Sequence, residues 1–215
     1  MGIGCGGSVK AEKEVREDIA GAILAGGKNL RMGRRNKALL ELGGRTFLDR
    51  TIARIRPFFR EIMIIGNDAD YERYGIPVHP DIRPESGSLG GILTALTRSS
   101  APRTFCVACD MPFLHPGIIA RLLEAGGEEI DAVIPRLPEG LEPLCAVYSS
   151  RLIPRINELL DGGEKRVRLA VEDARTAFVD VDELRRDDPL LLTFFNINTP
   201  EDLETALALE ESQPS

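Results

Sequence analysis

Short continuous apolar runs alternate along this chain with segments whose apolar residues recur every three or four positions. The first run, IAGAILA at 19–25, is followed by glycines and predicts a strand covered on both faces. TFLDRTIARIRPFF at 46–59 sets Phe47, Leu48, Ile52 and Ile55 at helical spacing, leaves Arg50, Arg54 and Arg56 for the wet side, and carries Pro57 to end the helix. EIMIIGN at 61–67 predicts a second strand. IPVHPD at 76–81 predicts a third, shorter one, whose prolines limit its pairing and whose C-terminal end carries Asp81.

The alternation continues to the C-terminus. SLGGILTALTRS at 88–99 reads as a helix led in by glycines, and TFCVACDMPF at 104–113 as a central strand broken by Pro112, so that Asp110 falls where the strand stops. HPGIIARLLEAGG at 115–127 predicts a helix stopped at Gly126, followed by strands at 131–137 and 142–150. LIPRINELLDGG and the segment after it return to helix. Two further strands are predicted at 176–184 and 190–198, and Thr199-Pro200 with acids in the next turn opens a capped terminal helix. Strand and helix alternating with short connections predict an α/β fold, a mostly parallel sheet with helices on both faces. Residues 1–18 are polar and precede the first strand, so they predict a flexible extension ahead of one domain spanning 19–215.

Composition narrows the function classes. The chain has 215 residues, 43% hydrophobic and 28% charged, which fits a globular protein and argues against disordered or fibrous architectures. A formal net charge of −7 should repel nucleic acid and anionic lipid, so an anionic ligand needs a locally basic site. No apolar run approaches the roughly 20 residues that span a bilayer, and the N-terminus lacks a signal-peptide layout, which together predict a cytoplasmic protein. The four cysteines, Cys5, Cys106, Cys109 and Cys145, read as reduced thiols.

Two motifs do not carry chemistry. GIGCGG at 2–7 satisfies G-x-G-x-x-G, but a dinucleotide fingerprint needs a strand before it, and only Met1 precedes it. Cys106 and Cys109 form a C-x-x-C inside a strand-like run, where residues three apart point to opposite faces and cannot easily share a metal or a disulfide. A redox pair would sit at a helix N-terminus.

The first strand leads into LAGGKNLRMGRRNK at 24–37, three glycines and five basic side chains in fourteen residues. In an open α/β sheet the ligand lies outside the carboxyl ends of the strands, where Gly26, Gly27 and Gly33 would let backbone amides approach an anion. Lys28, Arg31, Arg34, Arg35 and Lys37 add enough charge to offset a polyphosphate. The loop is not a Walker A, since G-x-x-x-x-G-K-[ST] cannot be threaded through it. Glycine and charge alone are equally compatible with a solvated basic turn that ends a strand. Asp110 helps decide, because a carboxylate on the same sheet edge suits a hard cation with phosphate oxygens, although an N-cap or turn role is the commoner use of such a residue.

L-A-G-G-x-x-x-R-M-G-x-x-x-K followed by a strand ending C-D-M-P resembles the molybdenum cofactor guanylyltransferases (MobA family). DIRPESGSLGGI, EPLCAVY, GGEKRVR and FFNINTPEDL extend the resemblance from about Ile19 to Leu209. It implies a Rossmann-like nucleotidyltransferase fold and transfer of GMP from magnesium-bound GTP (Mg2+ as cofactor) to Mo-molybdopterin, with release of pyrophosphate. Carried over position by position, it implies that Leu24, Ala25, Gly26, Gly27 and Arg31 bind the nucleotide and that Lys37 meets the phosphates. Asp81 then serves the guanine side with Asn67 beside it, and Asp110 the metal. Arg166, Arg168, Asn196 and Asn198 are candidates for the molybdopterin side, since a phosphorylated pterin needs cations and amide partners. For each of them a solvated helix face or a buried turn amide is an equally good account. Further partners implied are other molybdenum cofactor biosynthesis proteins and acceptor molybdoenzymes.

The chain departs from the family at Ser88, where proline is usual, which frees one φ angle in GSLGG. Cytidylyltransferases acting on the same cofactor usually carry L-A-A-G where this chain has Leu24-Ala25-Gly26-Gly27. Sugar-phosphate nucleotidyltransferases share a glycine-rich loop, an arginine and a lysine but not usually the NINTPEDL ending. A nucleotide-binding regulator without catalysis is the alternative from another class, and pyrophosphate release separates the two.

Overall fold

The computed structural model describes residues 15–26 and 36–212. Strand β1 (Ile19–Leu24) is buried along its whole length, with Ile19 and Ile23 in one core and Ala20, Ala22 and Leu24 in another. Gly21 is required by packing: a Cβ there would lie 2.8 Å from the Phe59 ring, which itself stacks on Phe105 with centroids 5.5 Å apart. A small hairpin, β2 (Glu41–Leu42) and β3 (Arg45–Thr46), leads into α1 (Phe47–Ile55), which opens on a reciprocal cap between Thr46 and Asp49. Then come β4 (Ile62–Ile65), β5 (Val78–His79), α2 (Gly87–Arg98), β6 (Arg103–Ala108) and α3 (Pro116–Glu124). The second half holds β7 (Ala132–Leu137), β8 (Gly140–Leu141), β9 (Cys145–Ser149), α4 (Ile153–Asp161) and α5 (Val167–Val171), followed by β10 (Thr176–Asp180), α6 (Val181–Leu184) and α7 (Pro200–Ser212).

Eight strands form one sheet in the order β10-β7-β9-β6-β1-β4-β5, with β8 paired to β7. Only β8 and β9 run against the common direction, so the sheet is mainly parallel. The reason for the exception is loop length. Residues 138–144 are too few for a crossover of a dozen or more residues, so β9 must return antiparallel. Helices α1 and α3 cover one face through Leu48, Ile52, Ile118 and Leu122. Helices α2, α4 and α5 cover the other through Leu89, Ile92, Ile156 and Val167. Cys106 and Cys109 fall in opposite cores, and both are buried free thiols.

Two predicted strands are corrected. The run at 190–198 pairs with nothing in the sheet: Leu191 is left-handed (φ 54°), and Leu192–Phe194 forms a 3-10 turn. Its cause is the buried Asp188, whose carboxylate accepts from Leu192 N at 3.1 Å and Thr193 N at 2.7 Å, offering the backbone an alternative to a ladder. The strand predicted over 176–184 ends at Asp180, opposite Arg136, and 181–184 turns as α6. Of the extension expected at 1–18, residues 1–14 lie outside the described residues. Arg16 N donates to Phe58 O at 2.9 Å, and Asp18 pairs with the buried Arg103.

The terminal helix is built as its sequence predicts. Asp202 Oδ2 accepts from the amides of Asn198 and Thr199, both at 2.8 Å, and Thr199 Oγ1 accepts from Asp202 N at 3.1 Å. Arg50 clasps the far end of α7 through a two-pronged pair with Glu210 at 2.7 and 2.8 Å. Ala206 joins Leu42, Phe47 and Ile197 in a third small core. Residues 196–198 are thereby pinned against the end of β6, where Ile197 N donates to the Asp110 carbonyl at 3.0 Å.

Candidate active site

Because β1, β4, β5 and β6 are parallel, the segments that follow them emerge on one edge of the sheet. A cleft of about 690 Å³ opens there. Leu24, Ala25, Gly26 and Lys37 line it from the β1 side, Asn67 from β4, Asp81 from β5 and Asp110 from β6. Seven of the residues implied by the family resemblance are thus brought together from four strands. Gly27 and Arg31 lie outside the described residues.

The ends of the basic loop are held by side chains that sequence patterns did not single out. The single Tyr71 hydroxyl proton is shared between the Ala25 carbonyl at 2.9 Å and Asn36 Oδ1 at 3.0 Å, so one buried tyrosine ties the entry of the loop to its exit. Asn36 in turn donates to Asp68 at 2.5 Å and caps the 3-10 turn Lys37–Leu39 by accepting from Ala38 N at 3.0 Å. This cap orients Lys37. Burial pushes the Tyr71 phenol well above its ordinary range, so it remains a donor at physiological pH.

Lys37 Nζ donates to Asn198 Oδ1 at 2.7 Å and lies 3.5 Å from Asp110 Oδ2. Burial raises the Asp110 pKa above the usual carboxylate value, and the Lys37 charge and hydrogen bond oppose it. Nearby Glu142 is also raised by burial, against hydrogen bonds from the Leu144 amide and the Asn196 side chain. Among the described residues no group of three or more His, Cys, Asp or Glu gathers to hold a metal. Asp110 as a single carboxylate matches a magnesium ion that draws its remaining ligands from phosphate and water, since that ion is usually held by one or two carboxylates rather than by a protein cage.

At the other end of the cleft, Asp81 Oδ1 is buried without a hydrogen-bond partner among the described residues. Burial raises its pKa, with a smaller opposing pull from the Thr94 hydroxyl. Gly26 lies beside it, where an added Cβ would be in ordinary contact with Asp81 Oδ2 at 3.4 Å. A buried acceptor with no donor is costly unless a ligand supplies one.

The four residues named for the pterin side separate. Asn198 holds Lys37, and Asn196 has its Oδ1 buried without a partner among the described residues. Arg166 is on the surface, bound to Glu164, and Arg168 is exposed; neither lines the cleft. The basic turn sends Lys165 into the cleft instead. Cys109 lines the cleft too, but burial pushes its thiol up to about 12, so it is no nucleophile.

An open α/β sheet with a glycine-led loop, a lysine and a strand-end aspartate on its carboxyl edge has the architecture of a nucleotidyltransferase. The MobA-like NTP transferase domain matches residues 21–176. The chain is 37% identical over 191 residues to the molybdenum cofactor guanylyltransferase of Desulfosudis oleivorans, covering 88% of this chain and 95% of that one. It is 36% identical over 211 residues to the probable molybdenum cofactor guanylyltransferase of Methanosarcina mazei, covering 92% and 94%. Among solved structures, the molybdopterin-guanine dinucleotide biosynthesis protein A of Archaeoglobus fulgidus superposes with a TM-score of 0.78 at 28% identity, over 90% of this chain and all of that one. The chain belongs to the MobA-like NTP transferase family.

Proposed function

We propose that the protein is a molybdenum cofactor guanylyltransferase, which moves GMP from GTP to the terminal phosphate of Mo-molybdopterin and releases pyrophosphate. The observation that carries this reading is the pairing, in one cleft, of a phosphate-ready Lys37–Asp110 end with a buried acceptor at Asp81 that lacks a donor. The names of the relatives supply the acceptor.

Guanine offers two adjacent donors, its ring N1–H and its 2-amino group. A carboxylate accepts both, whereas cytosine and adenine present an acceptor at the corresponding ring nitrogen. Asp81 is therefore the residue that reads the base, with Asn67 beside it. Leu24, Ala25, Gly26 and Gly27 let the chain run close to the nucleotide, and Lys37 and Arg31 meet the triphosphate. Asp110 would hold the magnesium ion, which when bound would neutralise phosphate charge.

An oxygen of the acceptor phosphate forms a bond to the α-phosphorus, and the bond from that phosphorus to the bridging oxygen breaks. Pyrophosphate leaves with the electron pair. Little covalent help is needed in such a step, so placement and charge neutralisation do the catalysis. Lys37 contributes by following the charge that grows on the departing oxygen, and Asn198 holds the ammonium in place. The free, buried cysteines support a reducing, cytoplasmic setting. Handover to other molybdenum cofactor biosynthesis proteins and acceptor molybdoenzymes is part of this reading.

The test is to incubate the protein with Mg2+, GTP and Mo-molybdopterin and to analyse the pterin by mass spectrometry. The expected product carries one added GMP per pyrophosphate released. GTP binding with no pyrophosphate release would replace the enzyme with a nucleotide-binding regulator.

A further inference from the structure

Among the described residues two lysines line the cleft, and they come from opposite sides of the sheet. Lys37 belongs to the turn that packs Ala38 into the core beneath α1 and α3. Lys165 lies in the loop between α4 and α5, helices that pack on the other face through Ile156 and Val167. Their partners differ as well. Lys37 is engaged with Asp110 and Asn198, while Lys165 Nζ donates to the Glu85 carbonyl at 2.7 Å, and among the described residues no carboxylate forms an ion pair with it. A neutral carbonyl fixes the position of an ammonium ion without cancelling its charge.

The lip that offers this carbonyl is itself constrained. Glu85 has φ 63°, one of two described non-glycine residues in the left-handed region. The conformation is sustained from outside: Arg83 donates to Asp161 at 2.5 Å and to Asn157 at 3.1 Å, so α4 fastens the loop that presents Glu85. A backbone held in a sparsely populated region by its surroundings is a mark of a functional site.

We propose that Lys165 is the cleft's cation for the acceptor, exchanging the Glu85 carbonyl for an oxygen of the acceptor's terminal phosphate. This inference rests on the guanylyl-transfer reading above. Transfer brings two anionic phosphate groups together, and the attacking oxygen must arrive in line, on the side of the α-phosphorus away from the leaving pyrophosphate. In that reading Lys37, Arg31 and the magnesium ion serve the donor's phosphates, so the acceptor's charge needs a second cationic group. Lys165, reaching the cleft from the opposite face, supplies the second. It neither gives nor takes a proton, so it is a binding and positioning residue. Arg166, its neighbour, does not line the cleft, and its guanidinium is turned to Glu164.

The test uses the full chain with Mg2+, GTP and Mo-molybdopterin, comparing wild type, Lys165→Met and Lys165→Arg. Wild-type turnover establishes the reaction independently of Lys165; its absence would count against the guanylyl-transfer reading itself. Given turnover, Lys165→Met is expected to raise KM for the acceptor by roughly 10- to 100-fold, the worth of a charge-assisted hydrogen bond. KM for GTP and the calorimetric affinity for GTP should stay within about threefold of wild type, and Lys165→Arg should recover most of the loss. An unchanged acceptor KM, or a KM for GTP that rises in its place, overturns the proposal. So does a loss of GTP affinity together with activity, because Lys165 would then only tie the two loops together.

Discussion

At the scale of single residues, the cleft keeps its charges in states that folding does not favour. Asp81 is the clearest example, since burial raises its pKa and Oδ1 lacks a partner among the described residues. A carboxyl whose folded pKa exceeds its unfolded value adds stability only below the unfolded pKa and loses it as pH rises through the folded one. At neutral pH the ionised Asp81 therefore costs stability, and Asp81→Asn should raise Tm by about 2 °C or more, for a chain of this size. The same variant should raise KM for GTP about tenfold and blunt the preference for guanine, as one of two acceptors is gone. A lower Tm with intact base selection would contradict both halves of this account. Lys37→Ala should cut kcat by about 100-fold or more while changing GTP affinity far less, because its partner charge grows only during transfer; steady-state kinetics and GTP titration check it. For Asp110, the raised pKa sets the acid limb of kcat/KM above the ordinary value of 3.8, with activity falling as pH drops through it. A limb at or below 3.8, with free Mg2+ kept low so that the metal does not itself hold the carboxylate ionised, would contradict the raised pKa.

Legibility at this scale depended on position along a strand. Asp110 and Asp81 could be placed from sequence because each ends an apolar run, and strand ends in a parallel sheet share an edge. Tyr71 could not, since nothing in ADYERY distinguishes a tyrosine that bridges Ala25 and Asn36 from one on a wet turn. In GGEKRVR, charge identified the turn, but the choice of Lys165 over Arg166 depends on which stem faces the sheet edge. A two-residue pairing with Glu164 settled it.

At the scale of elements, apolar runs that keep one conformation throughout were read correctly, and a run that turns partway was not. IAGAIL and the segment with Cys106 are short continuous apolar runs, read as strands covered on both faces, and both are buried along their whole length. The run at 190–198 instead sends Leu191 and Phe194 toward one core and Phe195 and Ile197 toward another, with Asp188 fixing the turn between them. Its high apolar content mimicked a strand. Helix α7 shows how an element far from the chemistry sets the site, because its N-terminal cap and the residue that grips Lys37 are neighbours. Thr199→Ala removes the acceptor for Asp202 N, so it should cost about 1 kcal/mol of stability and lower kcat as Asn198 loosens. Thermal melts and turnover measured together check this. A normal kcat at reduced Tm would mean that Asn198 is held without the helix.

At the scale of the whole molecule, an acidic chain handles two anionic substrates by collecting its useful cations on one edge. The chain carries a net charge of −7, while Lys37 and Lys165 reach the cleft from opposite faces of the sheet. The antiparallel β9 belongs to the same design, since its reversal brings residues 142–144 to the edge where β6 ends, and Ala108 N donates to the Leu144 carbonyl at 2.8 Å. Among the described residues no helix is long and apolar enough to cross a membrane. The most direct measurement is pyrophosphate release from each of the four nucleoside triphosphates in turn, with Mg2+ and Mo-molybdopterin present. The account predicts turnover with GTP alone. Turnover with CTP in place of GTP would leave the Lys37–Asp110 end standing and contradict the assignment of Asp81 as the residue that reads guanine.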